Sequence, residues 1–185
     1  VFPQPLHPAV VHLPMALVVL LPFAALAALF MIRRGSAPRT AWIWIVVLSV
    51  LLAGSSWLAT ETGEDQEEVV EDVVAEAAIH GHEEAAELFL LLSGAAIVVF
   101  GIGLARGRVG RIGRYAGLAA TLVLLAAGYR VGHSGGALVY THGAAQVYLN
   151  RGPEGRAKDA VTRGDAERGE DQAGRPEAAS GSDDR

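Results

Sequence analysis

The chain has 185 residues, 51% of them hydrophobic, with six histidines, no cysteine and a formal net charge of −5. Without cysteine, disulfides, thiolate metal sites and iron–sulfur clusters are excluded, so any metal here is held by His, carboxylate, Met or backbone oxygen. The mean hydropathy of +0.33 exceeds that of an average soluble domain, and the apolar residues gather in four blocks.

The first block covers about 9–32 and opens with HPAVVHLP, residues 7–14, which puts His7 and His12 at the mouth of an apolar run. It is too long for a cleavable signal peptide and lacks the basic region that precedes one. Crossing a bilayer core takes about 20 apolar residues in a helix, a form that satisfies its own backbone hydrogen bonds in lipid. Pro8 suits a first helical turn, where no N–H is needed. Pro14 and Pro22 fall inside the span, where prolines are tolerated, usually with a kink. The second block, about 41–59, carries Trp42 and Trp44 at one end and Trp57 at the other, so indoles are expected at both membrane interfaces. Residues 60–84 then hold ten acids and no Lys or Arg. Within them DQEEVVEDVVAEAA, from Asp65 to Ala78, sets valines and alanines at helical spacing. This predicts an amphipathic helix on the outer surface, interrupted at Gly81 before the third block, about 85–105. The fourth block covers about 112–131. After it, GYRVGHSGGALVYTHGAA, residues 128–145, reads as a glycine-rich interfacial cap, or as a lid carrying Tyr140 and His142 over the bundle mouth. Residues 150–185 are rich in Gly, Ala and charge and are expected to be disordered. The fold class is therefore all-α: a four-helix transmembrane bundle over 1–149 with a periplasmic amphipathic helix and a disordered C-terminal tail.

Loop charge gives a direction. The 1–2 loop has Arg33, Arg34 and Arg39, and the 3–4 loop has Arg106, Arg108, Arg111 and Arg114. By the positive-inside rule both are cytoplasmic, which places the N-terminus, the acidic loop and the C-terminus in the periplasm of a bacterial inner membrane. Every histidine then falls at the outer face: His7 and His12 at span one, His80 and His82 before span three, His133 and His142 after span four. Short loops make antiparallel neighbours of spans one and two and of spans three and four, so spans one and three lie diagonally. Two diagonal imidazoles can ligate one haem iron. His12 and His82 are the expected axial pair, with His142 and His7 as the alternate pair; His80 and His133 are weaker candidates. Glu83, Glu87 and Glu61 are placed to orient imidazoles, and Arg130 to meet one of these acids or a haem propionate. The competing explanation is a set of polar caps, since half-apolar imidazoles suit a membrane boundary and pair with acids when protonated. No Glu-x-x-His occurs, which disfavours a di-iron carboxylate site.

The ordered motifs HPAVVHLP, His82-Glu83 and GGALVYTHG (residues 135–143) resemble the bacterial membrane domain-of-unknown-function family 2231, over about residues 5–145. His7, His12, His82 and His142 are the matching positions, with Leu13 where Phe is common. The resemblance implies redox company, because such domains are found fused to cytochrome or Rieske modules.

The leading expectation is a haem b protein transferring electrons at the periplasmic face to a cytochrome, Rieske-type or quinone partner. It would be a homo-oligomer or a subunit of a larger complex rather than a stand-alone enzyme, and would bind no nucleic acid. The acidic loop would steer a basic partner. The alternatives are a site for copper, iron or zinc, or a cofactor-free accessory subunit with a His/acid cap.

Overall fold

The structure is a computed structural model. It describes residues 6–71 and 73–147, except for the side chains of residues 65, 66, 68 and 69. Among the described residues there is no strand, and the helices up to Tyr140 are α1 (His7–Val10), α2 (His12–Arg33), α3 (Pro38–Val70), α4 (Glu76–Ile102) and α5 (Gly107–Tyr140). The break between α1 and α2 follows from Pro14, which has no N–H to give the Val10 carbonyl; Val11 itself keeps helical angles. Together α1 and α2 make one span, and α3, α4 and α5 supply the other three, each long and apolar enough to cross a membrane. Neighbouring pairs are α2 and α3, α3 and α4, α4 and α5, and α5 and α2. The bundle is thus a closed ring in which α2 lies diagonally from α4. The described residues up to Ala144 form one compact unit. The disorder expected of residues 150–185 lies outside the described residues.

The inward faces mix small and hydroxyl-bearing residues with a few large apolar ones, and the outward faces are large and apolar. On α2 the buried residues are Pro14, Leu17, Val18, Leu21, Pro22, Ala25 and Ala28, while Leu13, Phe23, Leu26 and Phe30 point outward. In lipid there is no gain from hiding leucine, so helices associate by close backbone approach. α5 shows the device most clearly: Gly110, Gly113, Gly117 and Gly128 lie on its buried face, and a Cβ at Gly117 would stand 2.9 Å from both Phe100 and Trp42. Buried hydroxyls bond back to their own helix: Ser49 donates to the Val46 carbonyl, Ser93 to Phe89 and Thr121 to Leu118. They therefore carry no unpaired group into the bundle.

Three local expectations need correction. The acidic segment is not a separate amphipathic helix: α3 continues from the membrane to Val70, the chain reverses at 71–75, and α4 starts at Glu76. Val74 and Ile79 are buried at this corner, so their burial turns the chain where the helical pattern alone would run on. Gly81 does not interrupt anything and sits within α4. The glycine-rich segment after span four is neither loop nor lid. It is the last three turns of α5, which ends at Tyr140 and is closed by the Thr141 and His142 N–H groups on the Ala137 carbonyl. Gly143 follows with φ 75°, the left-handed conformation that glycine tolerates at helix ends.

The arginine end is held by donors aimed at carbonyls in and just after the last turn of α4. The Trp42 indole donates to Phe100 at 3.0 Å, Arg114 to Gly103 at 2.7 Å and Arg39 to Leu104 at 2.8 Å. Cationic side chains at a helix C-terminus satisfy orphan carbonyls and complement its dipole. Trp42 is therefore a core residue with no exposed surface, whereas Trp44 and Trp57 remain exposed, as interfacial indoles should be.

Candidate functional site

The helices bring two of the six histidines into the interior of the histidine end. His7, on α1, lies against α3: its Nδ1 is 2.9 Å from the Ala59 carbonyl and 3.3 Å from Thr62 Oγ1. A carbonyl only accepts, so Nδ1 carries the hydrogen. His82, on α4, lies against α5, with Nδ1 2.9 Å from Ser134 Oγ. That hydroxyl donates its own hydrogen to the Val131 carbonyl at 3.0 Å, so it accepts from His82 Nδ1–H. Both neutral rings are thereby fixed in the same tautomer, with the Nε2 lone pair free.

No partner among the described residues takes either Nε2. No buried side-chain nitrogen or oxygen among them lacks a partner, so these two nitrogens open onto accessible space. Each ring is half-buried, and His82 lies within electrostatic reach of His7. Each also lies close against a glycine. A Cβ at Gly63 would come 3.2 Å from His7 Cε1, and one at Gly135 would come 3.1 Å from His82 Cε1. Gly135 belongs to the GGALVYTHG motif, and the close approach it permits is to an imidazole.

The other candidates lie elsewhere. His12 is exposed, at the head of an open apolar groove with Val11, Met15, Ala16, Val19, Leu20 and Phe23. Of the two histidines of the first span, His7 rather than His12 is thus the half-buried ring. His142 is exposed in the turn after α5, and Tyr140 is 91% exposed. Arg130, Glu61 and Glu87 are exposed. His133 is exposed and packs on Tyr129, ring centres 5.9 Å apart. His80 pairs along its own helix with Glu83 at 3.6 Å and Glu84 at 3.4 Å. The groups that orient the two inner imidazoles are the Ala59 carbonyl, Thr62 and Ser134. No group of three or more His, Asp or Glu able to hold a metal occurs among the described residues.

Glu83 turns toward α3, where it hydrogen-bonds Glu67. That bond holds the Glu67 carboxyl above its ordinary value, helped by desolvation and by the Glu83 charge and opposed by His80. A raised folded-state pKa means the contact is fully present below the ordinary carboxylate range and is lost as pH rises through the raised value. Hydrogen exchange across the α3–α4 corner is therefore expected to slow on acidification. Glu67→Gln, whose amide N–H donates without first taking up a proton, should hold the slow rate at neutral pH. An unchanged pH profile in that variant would remove the carboxyl pair as the cause.

No curated protein and no solved structure matches the chain. The family described as predicted membrane protein (DUF2231) matches residues 3–147, a stretch that contains all four spans, both inner imidazoles and their hydrogen-bond partners. The chain belongs to this DUF2231 family of membrane proteins.

Proposed function

We propose that this protein is a b-type haem protein of the bacterial inner membrane that passes electrons at its periplasmic face, and that His7 and His82 would hold the haem. The observation that carries the proposal is the matched state of the two rings: each gives Nδ1–H to a protein acceptor and keeps Nε2 free. Metal-ligating imidazoles are commonly oriented and made more basic in this way. The number of donors narrows the metal. Structural and catalytic zinc sites take three or four protein ligands, whereas a haem iron needs only axial ligands because the porphyrin supplies the rest. When bound, the group would supply one-electron chemistry. The chain's own residues orient the two rings through Ala59, Thr62 and Ser134. The orientation rests on the seven arginines at the opposite end. The acids of residues 60–84 would then give the outer face a negative field that attracts a basic redox partner.

A second reading is favoured by the two glycine contacts. With Gly63 and Gly135 packed against the rings, His7 and His82 would act as hydrogen-bonded ties, α1 to α3 and α4 to α5, in a cofactor-free accessory subunit.

One preparation separates the two. Protein purified from haem-replete cells is expected to show a Soret band and sharp reduced α and β bands, with one haem per chain. A colourless but folded preparation would overturn the haem proposal. Copper in it at one per chain would assign the imidazole pair to a bare ion, and absence of any metal would leave the tie.

A further inference from the structure

The arginine end holds a second constellation, independent of the imidazoles. Arg33 at the end of α2 reaches across the seam to α5 and donates from Nη2 to the Tyr115 hydroxyl at 3.4 Å. Arg111 lies four residues before Tyr115, on the same helical face, and Arg33, Arg111 and Arg114 all act electrostatically on that hydroxyl. Arg114 is committed to the Gly103 carbonyl, but Arg33, Arg111 and Tyr115 are exposed. No carboxylate lies at this end of the spans. Residues 1–60 and 88–153 contain no carboxylate, and α5 has no acid in its first turn.

Guanidiniums gathered on a hydroxyl, without a carboxylate, match an anionic phosphodiester in charge and hydrogen-bonding geometry. The surroundings select a lipid as its source. Leu26 lies seven residues before Arg33 on α2, and Leu122 lies seven after Tyr115 on α5; both are exposed. An exposed apolar side chain thus lies about two helical turns into the membrane from each of Arg33 and Tyr115. Basic pockets between membrane helices are a known setting for anionic headgroups.

We propose that Arg33, Arg111 and Tyr115 bind the headgroup phosphate of an anionic phospholipid at the seam between α2 and α5, with its acyl chains along Leu26 and Leu122. The test uses the full chain in neutral detergent, with thermal unfolding followed after addition of phosphatidylglycerol, phosphatidylcholine or inorganic phosphate. Phosphatidylglycerol is expected to raise the melting temperature at least threefold more than phosphatidylcholine, and inorganic phosphate is expected to have no effect. The double variant Arg33→Gln, Arg111→Gln should lose that difference, while Arg34→Gln, Arg106→Gln should keep it. Should the first double variant fail to fold, Arg111→Gln alone, at an exposed position, should at least halve the difference. Equal stabilisation by both lipids, an undiminished response without Arg33 and Arg111, or full stabilisation by inorganic phosphate would each overturn the proposal.

Discussion

Trp42→Ala is expected to be the most destabilising single substitution in the membrane bundle, by about 3–5 kcal/mol if the cavity behaves as in other well-packed cores. The indole is fully buried. It occupies space that exists only because Gly103 and Gly117 have no side chains, and its N–H ends on the Phe100 carbonyl. In lipid the transfer term is small, because acyl chains are as apolar as the interior. The loss is therefore one of packing contacts between α3, α4 and α5. Trp42→Phe separates packing from hydrogen bonding. The Phe100 carbonyl also accepts from the Gly103 N–H at 3.0 Å, so it is not orphaned, and the expected cost is about 1–2 kcal/mol, from the smaller ring and one hydrogen bond. Trp44→Ala, two residues away but exposed, should change stability by about 0.5 kcal/mol or less. Reversible unfolding in mixed detergent measures all three. Equal losses for Trp42→Ala and Trp44→Ala would mean that α3 is rotated from the phase described.

The spans were legible because hydropathy and loop length act over whole segments, and neither depends on rotational phase. The site was less legible because it depends on little else. His7 and His12 are five residues apart, about 140° around a helix, so only one can face inward. Their order in the chain favours His12, the deeper residue, as the inward one. The structure chooses His7, and the reason is a register visible in hindsight. His7, Pro14, Leu21 and Ala28 recur every seven residues and are all buried or half-buried; His12, Val19 and Leu26 recur in the same way and are all exposed. On α4 the same argument picks His82, which lies seven residues before buried Phe89, over exposed His80. Thr62, Ser134 and the Ala59 carbonyl gave no sequence signal of their own. A hydroxyl becomes an imidazole's partner only once two helices are packed, and α3 had to be extended past its apolar block before Thr62 reached α1. Trp42 escaped for a related reason: a tryptophan at a span end is usually interfacial, and only the glycines of α4 and α5 make room for it inside.

Substitution of the histidines one at a time should split them two against four. If haem is bound at the histidine end, His7→Ala and His82→Ala are each expected to reduce bound haem at least tenfold, because each removes one of the two imidazoles that would hold it, and no group of three or more His, Asp or Glu among the described residues offers a replacement. His12→Ala, His80→Ala, His133→Ala and His142→Ala should retain it, since all four rings are exposed. Ser134→Ala is the finer probe. It leaves His82 Nε2 in place and removes the acceptor of Nδ1–H, so haem should still bind, but about 10–100-fold more weakly. A merely structural role for Ser134 would lower the melting temperature without altering affinity in the folded fraction. Retention of haem in His7→Ala together with its loss in His12→Ala would reverse the phase of the first span and dissolve the imidazole pair on which the proposed function rests.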